Sequence, residues 1–364
     1  MSTFPESVSD RFAKPLAAAQ AAASRGSRIV GYIGDDIPVE LILAANALPV
    51  RLEPRIGATP LADRYLESSF GPTYRSYLEQ WLRGDLDFIH AVIFPRSNDT
   101  AQRLYYYVCE LQRRGVCAGP RALIYDLARI GRETSHLHTV EATQQLADEL
   151  GTASNELDAA IQRVRQRLSF AQTLAGLRTS ASAIAGSDAL QIWRALQLDW
   201  TEPFDATVRE WIASAQTRTY ARRLLFVGSI PPDERFHVAS EAANSNIVDE
   251  IFEGSMSQSV ARWDESAPTM ESIANAYRTA RPVAPLLLDT PTLLVDRVRN
   301  VGAHGVILWL IEEDEGIVWE VPRQLEQLQR AQIPVLALTR QRWDADAATV
   351  AHITRFATEL STST

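Results

Sequence analysis

Short apolar stretches alternate with longer stretches of helical periodicity along most of the chain. The apolar stretches cover residues 28–34, 49–53, 88–95 and 121–127, and later 223–230, 284–290, 305–311 and 334–339. Alternation of this kind predicts parallel sheets whose strands are connected by helices. The stretches are apolar throughout, which is typical of strands covered by helices on both faces. The sequence therefore predicts an α/β fold with two similar parallel-sheet domains of the Rossmann or flavodoxin-like kind.

A region with helical periodicity separates the two halves. Its apolar residues recur every three or four positions, at Leu146, Leu150, Leu157, Ile161, Val164 and Leu168. We therefore predict an N-terminal helical or frayed segment (1–27), a first α/β domain (28–139), a helical connector (140–222) and a second α/β domain (223–364) that ends in a helix.

Composition and charge argue against several classes of partner. The chain has 36 basic and 45 acidic side chains and no basic cluster, so nucleic-acid binding is not expected. No run of about 18 apolar residues is present, and we expect no membrane-spanning helix. The N-terminal segment lacks the apolar region of a signal peptide, and we therefore expect a cytoplasmic protein.

The reactive residue types exclude several kinds of enzyme. Lys14 is the only lysine, so neither a phosphate-binding P-loop nor a Schiff-base lysine is expected. The glycine-rich dinucleotide motif, the esterase nucleophile elbow and the zinc-protease helix motif are absent. Cys109 and Cys117 are too few for a disulfide framework or a cysteine-only metal site. His136 and His138 have no evident third ligand, and no metal site is predicted.

The loops after the predicted strands carry the candidate chemistry, because ligands of open parallel sheets bind at the carboxyl ends of the strands. These loops are residues 34–40, 95–100, 228–234, 289–292 and 312–316. Asp35 and Asp36 are predicted to cap the helix that follows them. Glu40, one turn inside that helix, is either a charge favourable to the helix dipole or a substrate contact.

Two other loops allow similar alternatives. Asn98 and its neighbour Ser97 lie where either a helix cap or a ligand contact is expected. Residues 312–315 are four consecutive acids, which favours a solvent-exposed turn, with an oxygen-ligand cation site as the alternative. Ser229 follows a strand, but spacing assigns it no histidine and acid of a catalytic triad.

Several longer segments together identify a family. They are Pro38, Glu40 and Leu41 with the return strand 49–52, and then residues 65–78, 84–105, 302–322 and 353–360. Through them the chain resembles the subunits of 2-hydroxyacyl-CoA dehydratases and benzoyl-CoA reductases, including the D-component of 2-hydroxyglutaryl-CoA dehydratase. The resemblance implies two similar α/β domains and paired subunits that act on CoA thioesters. It also implies a [4Fe-4S] centre held by three cysteines and an ATP-driven activator protein.

The sequence departs from that family at the three cysteine positions. They correspond to Gly71 before Pro72, Asn98 before Asp99, and Asp314 in the acidic loop. Because glycine, amide and carboxylate replace thiolates poorly or not at all, we expect no cofactor on this chain. A [4Fe-4S] centre is expected only on a cysteine-bearing partner subunit.

The resemblance also gives candidate site residues. The candidate catalytic residues are Asn98, Asp99 and Asp314, and the candidate substrate contacts are Glu40, Gly71, Arg75, Ser97, Asn98, Arg103 and Ser229. Arg75 and Arg103, with Arg96, are the basic groups available for the phosphates of CoA.

Three functions remain open. The chain is the cluster-free subunit of a heterodimeric dehydratase, a lyase acting on an acyl-CoA thioester, paired with a homologous cysteine-bearing subunit. Alternatively, it is an iron-sulfur-independent enzyme that acts on a small acid or CoA thioester, either alone or as a homo-oligomer. The third possibility is a non-catalytic binding or scaffold protein that kept the fold.

Overall fold

The computed structural model describes residues 4–256, 270–280 and 291–362. Two helices, α1 (Glu6–Ala13) and α2 (Ala17–Ser24), precede the first strand. The first half continues with β1 (Arg28–Tyr32), α3 (Val39–Ala44), β2 (Ala47–Arg51), α4 (Pro72–Leu82), β3 (Ala91–Pro95), α5 (Asp99–Arg113) and β4 (Arg121–Tyr125). The helices α6 (Glu133–Leu150), α7 (Leu157–Thr179), α8 (Gly186–Leu198) and α9 (Glu202–Ser214) follow.

The second half has the same kind of alternation. It contains β5 (Arg222–Gly228), α10 (Arg235–Ala242), β6 (Ser245–Ile251), α11 (Met270–Thr279), α12 (Pro291–Val301), β7 (Gly305–Ile311), α13 (Glu315–Val318), α14 (Val321–Arg330), β8 (Val335–Gln341) and α15 (Ala347–Thr362). Among the described residues no helix is long and apolar enough to cross a membrane.

Each half forms a four-stranded, all-parallel sheet with the same strand order. The order is β2-β1-β3-β4 in the first sheet and β6-β5-β7-β8 in the second. The predicted fold class, two similar parallel-sheet units, is therefore confirmed. The domain boundaries at 28–139, 140–222 and 223–364 stay predictions.

The central strands are buried on both faces, as their uninterrupted apolar sequences predict. In β1, Val30 and Tyr32 pack into a core with α3 and α7, whereas Ile29 packs into a second core with α4 and α5. Successive residues of a strand point to opposite faces, so one apolar run supplies both cores. In the second half Leu224 and Leu225 of β5 divide between two cores in the same way.

Strand β6 was not predicted from the sequence. Its seven residues include Asn246, Asp249 and Glu250, yet all seven are buried. These polar groups are paired inside the protein: Asn246 accepts a hydrogen bond from the Gly186 amide, and Glu250 pairs with Arg178. Because the strand buries charges with partners, it lacks the apolar signal used for the other strands. The predicted strand at 284–290 and the loop at 289–292 lie largely or wholly outside the described residues.

Helix α7 contacts both halves of the molecule. Ile161 and Val164 near its start pack against the first core, and Leu174 packs with α8 and α9. Near its end, Arg178 reaches across to β6. The long helix therefore connects the first sheet to the second.

Candidate functional site

The carboxyl ends of both sheets open onto one cavity of about 370 Å³, which we call the strand-end cavity. Its lining residues include Gly34, Asp35, Asp36, Arg51, Tyr74, Tyr77, Ser97, Asn98, Gly228, Ser229, Glu253 and Asp314. The two halves contribute to it together. Its position is the one expected for ligand binding in open parallel sheets.

Equivalent strands of the two sheets place equivalent residues around this cavity. Gly34 follows β1 and Gly228 ends β5, and both have positive φ angles, of 76° and 130°. A Cβ on Gly34 would lie 3.1 Å from Oε1 of Glu253, and one on Gly228 would lie 2.1 Å from the Trp309 carbonyl oxygen. The turn after β5 therefore requires glycine, because a Cβ would overlap a backbone carbonyl oxygen. At Gly34 the positive φ favours glycine, and a side chain there would also displace Glu253.

Asn98 and Asp314 are also equivalent, because each is the N-cap residue after the third strand of its half in chain order. The Asn98 side chain accepts a hydrogen bond from the Ala101 amide at 3.0 Å, which confirms the capping interpretation. Asp314 instead accepts a hydrogen bond from the Ser229 hydroxyl, and Ser229 accepts one from the Ile311 amide at 3.0 Å. Burial raises the pKa of Asp314, which favours its protonated form.

Asp35 and Asp36 do not cap α3, so that prediction was wrong. The N-cap of α3 is Pro38, and no side chain caps it. Asp35 pairs with the buried Arg51 and accepts a hydrogen bond from the backbone N–H of Gly254. Burial alone would lower the pKa of Arg51, but Asp35 offsets this and raises it. The buried guanidinium needs a counter-charge, and this need outweighs helix capping.

Asp36 connects the first half to α11 through an arginine. It pairs with Arg129, whose guanidinium also donates to the Tyr277 carbonyl oxygen at 3.2 Å. Ser97 donates to the other oxygen of Asp36. Asp36 therefore joins two strand-exit loops of the first half at the edge of the cavity.

Sequence reasoning missed Glu253, which follows the unpredicted strand β6. Its carboxyl group lies close to Asp35, Asp36 and Asp314. Burial, followed by the charge of Asp35, raises its pKa to about 7. A carboxylic acid that titrates near neutral pH can serve as proton donor or acceptor. Only recognition of β6 as a strand would have drawn attention to the loop that holds Glu253.

Of the candidates, Ser97, Asn98, Ser229 and Asp314 line the cavity together. Gly71 lies beside them as the N-cap of α4, where a Cβ would lie 3.3 Å from Cβ of Glu313. The other four candidates are not part of the lining described for the cavity, and each has a structural environment of its own.

Glu40 is buried in α3 and accepts a hydrogen bond from the Tyr277 hydroxyl at 2.9 Å. Asp99 is exposed in the first turn of α5. Arg75 pairs with Asp63 at 2.6 Å, and Arg103 donates to the Ser69 hydroxyl at 2.9 Å and pairs with Glu67.

The acidic loop divides between solvent and the cavity. Glu312 is exposed and pairs with Arg340 at 3.1 Å, as expected for a solvent-exposed turn. Asp314, two residues later, faces the cavity. No group of three or more histidine, cysteine, aspartate or glutamate side chains in the described ranges has the geometry of a metal site.

The family model described as 2-hydroxyglutaryl-CoA dehydratase, D-component, matches residues 36–357 of this chain. The chain belongs to this family. The match includes every described strand except β1, and all of the described cavity lining except Ile33, Gly34 and Asp35. No curated protein matches the chain.

The resemblance of this D-component family member to cluster-bearing subunits implies three thiolates where Gly71, Asn98 and Asp314 stand. The structure places an amide and a carboxyl group in the cavity and no side chain at Gly71. Cys109 lies eleven residues beyond Asn98 along α5, about 16 Å along the helix axis, and Cys117 lies beyond the end of that helix. The residues present therefore do not fit a thiolate-bound [4Fe-4S] cluster.

Proposed function

We propose that this chain is a cluster-free subunit of a heteromeric 2-hydroxyacyl-CoA dehydratase or benzoyl-CoA reductase-like system. In this proposal the chain contributes the substrate pocket and a partner interface, and a homologous cysteine-bearing subunit holds the [4Fe-4S] centre and receives electrons from an activator ATPase. Family membership over residues 36–357 supports a dehydratase-type subunit. The observation that carries the proposal is the strand-end cavity, which Asn98 and Asp314 line at two of the cysteine-equivalent positions.

The chemistry of the cavity supports a thioester as ligand. Burial raises the pKa values of Asp314, Glu253 and Tyr74, so their neutral forms are favoured. Neutral carboxyl and phenol groups donate hydrogen bonds, and a thioester carbonyl oxygen accepts them without adding charge.

The three arginines considered for CoA phosphates are already engaged. Arg75 pairs with Asp63, Arg103 with Glu67, and Arg96 with Asp126. Phosphate binding at these positions would have to replace existing ion pairs. The proposal therefore assigns recognition of the CoA phosphates to the partner subunit and recognition of the acyl group to this chain.

One observation favours a second candidate, the iron-sulfur-independent enzyme. Glu253 has a pKa of about 7 and lies near Asp314 and its partner Ser229. A group with this pKa suits general acid–base catalysis at neutral pH. This enzyme would turn over its substrate in air without a partner.

The first experiment isolates the tagged chain from its source organism without oxygen and determines co-purifying proteins, iron and acid-labile sulfide. The proposal expects a family member with the three cysteines in equal amount, with all iron on that partner. The chain expressed alone and subjected to cluster reconstitution should retain no iron. Isolation without any such relative contradicts the heteromeric proposal, and about four irons per chain contradicts its cluster-free part.

Two variants then test the cavity. Asp314→Ala removes a lining group, and Asp99→Ala removes an exposed acid on the adjacent helix as a matched control. We expect the first to weaken binding of a short 2-hydroxyacyl-CoA by about tenfold and the second to leave it unchanged. Equal affinities in both variants would remove Asp314 from the site. Catalysis in air by the isolated chain would favour the second candidate, and absence of both turnover and binding would favour a scaffold.

A further inference from the structure

A smaller cavity lies directly behind the strand-end cavity. It has a volume of about 120 Å³ and shares Gly34, Asp35 and Arg51 with its larger neighbour. Its far side is formed by α7, α8 and the residues after α8, including Arg167, Trp193 and Trp200. We call it the inner pocket. The Asp35–Arg51 ion pair is therefore part of the wall between the two cavities.

The charges around the inner pocket are balanced. Arg51 pairs with Asp35 and also donates to Oε1 of Gln197 at 2.8 Å. Arg167 donates to Asp205 at 2.6 Å and to the Asp199 carbonyl oxygen at 2.7 Å. Each buried guanidinium thus has a carboxylate partner, and the pocket does not require a charged ligand.

Two residues that line the pocket nevertheless carry a buried donor without a partner. The indole Nε1–H of Trp200 and the Nε–H of Arg167 have no acceptor among the described residues. Both side chains are buried, with 5% and 3% of their surface exposed. They also contact each other, since the Arg167 guanidinium carbon lies 4.0 Å from the centre of the Trp200 ring. Buried donors without partners are rare in proteins and mark places where an acceptor is missing.

We propose that the inner pocket binds a compact, uncharged cyclic or branched group with one hydrogen-bond acceptor. A cavity of about 150 Å³ lined by apolar side chains holds the six non-hydrogen atoms of one benzene ring, so about five fit in this pocket of about 120 Å³. The aromatic faces of Trp193 and Trp200 supply the apolar contact. The acceptor of the ligand receives the hydrogen bond that Trp200 does not make within the protein.

The test uses two probes of the same shape, cyclobutanone and methylenecyclobutane, with the full-length protein. Indole N–H resonances are followed by ¹⁵N-edited NMR, and the Trp200 resonance is assigned by its loss in Trp200→Phe. Cyclobutanone should shift this resonance saturably. The Trp81 indole donates to the Ala118 carbonyl oxygen at 3.0 Å and is not part of the pocket lining, so its resonance serves as the internal reference.

Trp200→Phe keeps an aromatic ring and removes the donor. It should weaken binding of cyclobutanone about fivefold and leave binding of methylenecyclobutane unchanged. Val164→Phe fills the pocket from α7 and should abolish binding of both probes, with folding checked by circular dichroism. No saturable shift in the wild type, or undiminished binding in Val164→Phe, would overturn the proposal. Equal losses for the two probes in Trp200→Phe would overturn the assigned hydrogen bond.

This inference does not rest on a CoA ligand, because neither probe contains CoA. If Asp314→Ala lost thioester binding but retained probe binding, the result would support two separate sites. Probe binding without any thioester binding would remove the proposed function and leave the inner pocket in place.

Discussion

Replacing Arg178 with methionine tests how the buried charges of β6 are held. Arg178 donates to both oxygens of Glu250, at 2.7 and 2.5 Å, and to the Ile247 carbonyl oxygen at 2.7 Å. His237 contacts the same carboxylate at 2.8 Å. These groups are almost fully buried, so Arg178→Met leaves a carboxylate in the interior without its bidentate partner.

Two arguments give a similar magnitude. Burial alone would raise the pKa of Glu250, but Arg178 and His237 outweigh it and lower the pKa from 4.5 to about 2. At about 1.4 kcal/mol per pKa unit, this lowering corresponds to about 3 kcal/mol of stability at neutral pH. Removal of one partner of a buried ion pair typically costs about 3–5 kcal/mol. We therefore expect Arg178→Met to lower the free energy of unfolding at pH 7 by about 3–5 kcal/mol.

The loss should depend on pH in a defined direction. In the wild type the folded-state pKa is depressed, so the contribution of Glu250 is complete above about pH 4.5 and declines toward pH 2. In Arg178→Met burial favours the protonated acid, and the variant regains stability as Glu250 takes up a proton. The difference between variant and wild type should therefore shrink from pH 7 to pH 4.

Urea unfolding followed by circular dichroism at pH 7 and pH 4 measures this difference. The control is Arg330→Met, because Arg330 pairs with Glu326 at 2.6 Å on α14 and both side chains are more than half exposed. It should lose less than about 1 kcal/mol. The double variant Arg178→Met/Glu250→Gln should recover part of the loss. Equal losses in Arg178→Met and Arg330→Met, or a loss that does not change with pH, would refute the reasoning.

Three further changes test the strand exits. Gly228→Ala should lower stability by at least about 2 kcal/mol in urea unfolding, because a Cβ would clash with the Trp309 carbonyl oxygen, whereas Gly176→Ala in open space on α7 should raise it by about 0.5–1 kcal/mol. Asn98→Ala should lower the free energy of unfolding by about 1 kcal/mol through loss of the α5 cap, as measured by thermal unfolding. Asn98→Asp keeps a capping oxygen and should retain most of that stability. The raised folded-state pKa of Glu253 means that its ionisation destabilises the folded wild type as the pH rises from 5 to 8. Glu253→Gln cannot ionise, so its stability relative to the wild type should increase over this range. A difference in stability that does not depend on pH would contradict the raised pKa.

The sequence predicted the fold wherever strands were covered on both faces. β1, β3, β5 and β7 are apolar because both of their faces lie in a core, and hydropathy detects such strands directly. β6 is equally buried but places Asp249 and Glu250 inward against arginines. Hydropathy cannot distinguish a buried, paired carboxylate from an exposed one, and the strand was therefore missed.

Contacts between residues that are distant in sequence limited the prediction of the site. Ser97, Asn98, Ser229 and Asp314 could be placed near one another, because they follow strands whose carboxyl ends meet. Asp35 was assigned to capping because its partner, Arg51, comes from another strand and local sequence does not reveal that contact. Glu253 was not identified as a candidate because it follows β6, the strand that was not predicted.

The turns after β1 and β5 show that the protein repeats one unit. Each begins with a glycine of positive φ and continues to an isoleucine and a proline, as Gly34–Asp35–Asp36–Ile37–Pro38 and as Gly228–Ser229–Ile230–Pro231. A protein with two units of the same strand order carries two copies of each ligand-facing turn. One copy can carry a hydroxyl where the other carries acids, without a change of fold. The cavity is therefore lined by carboxylates from one turn and by a serine from the other.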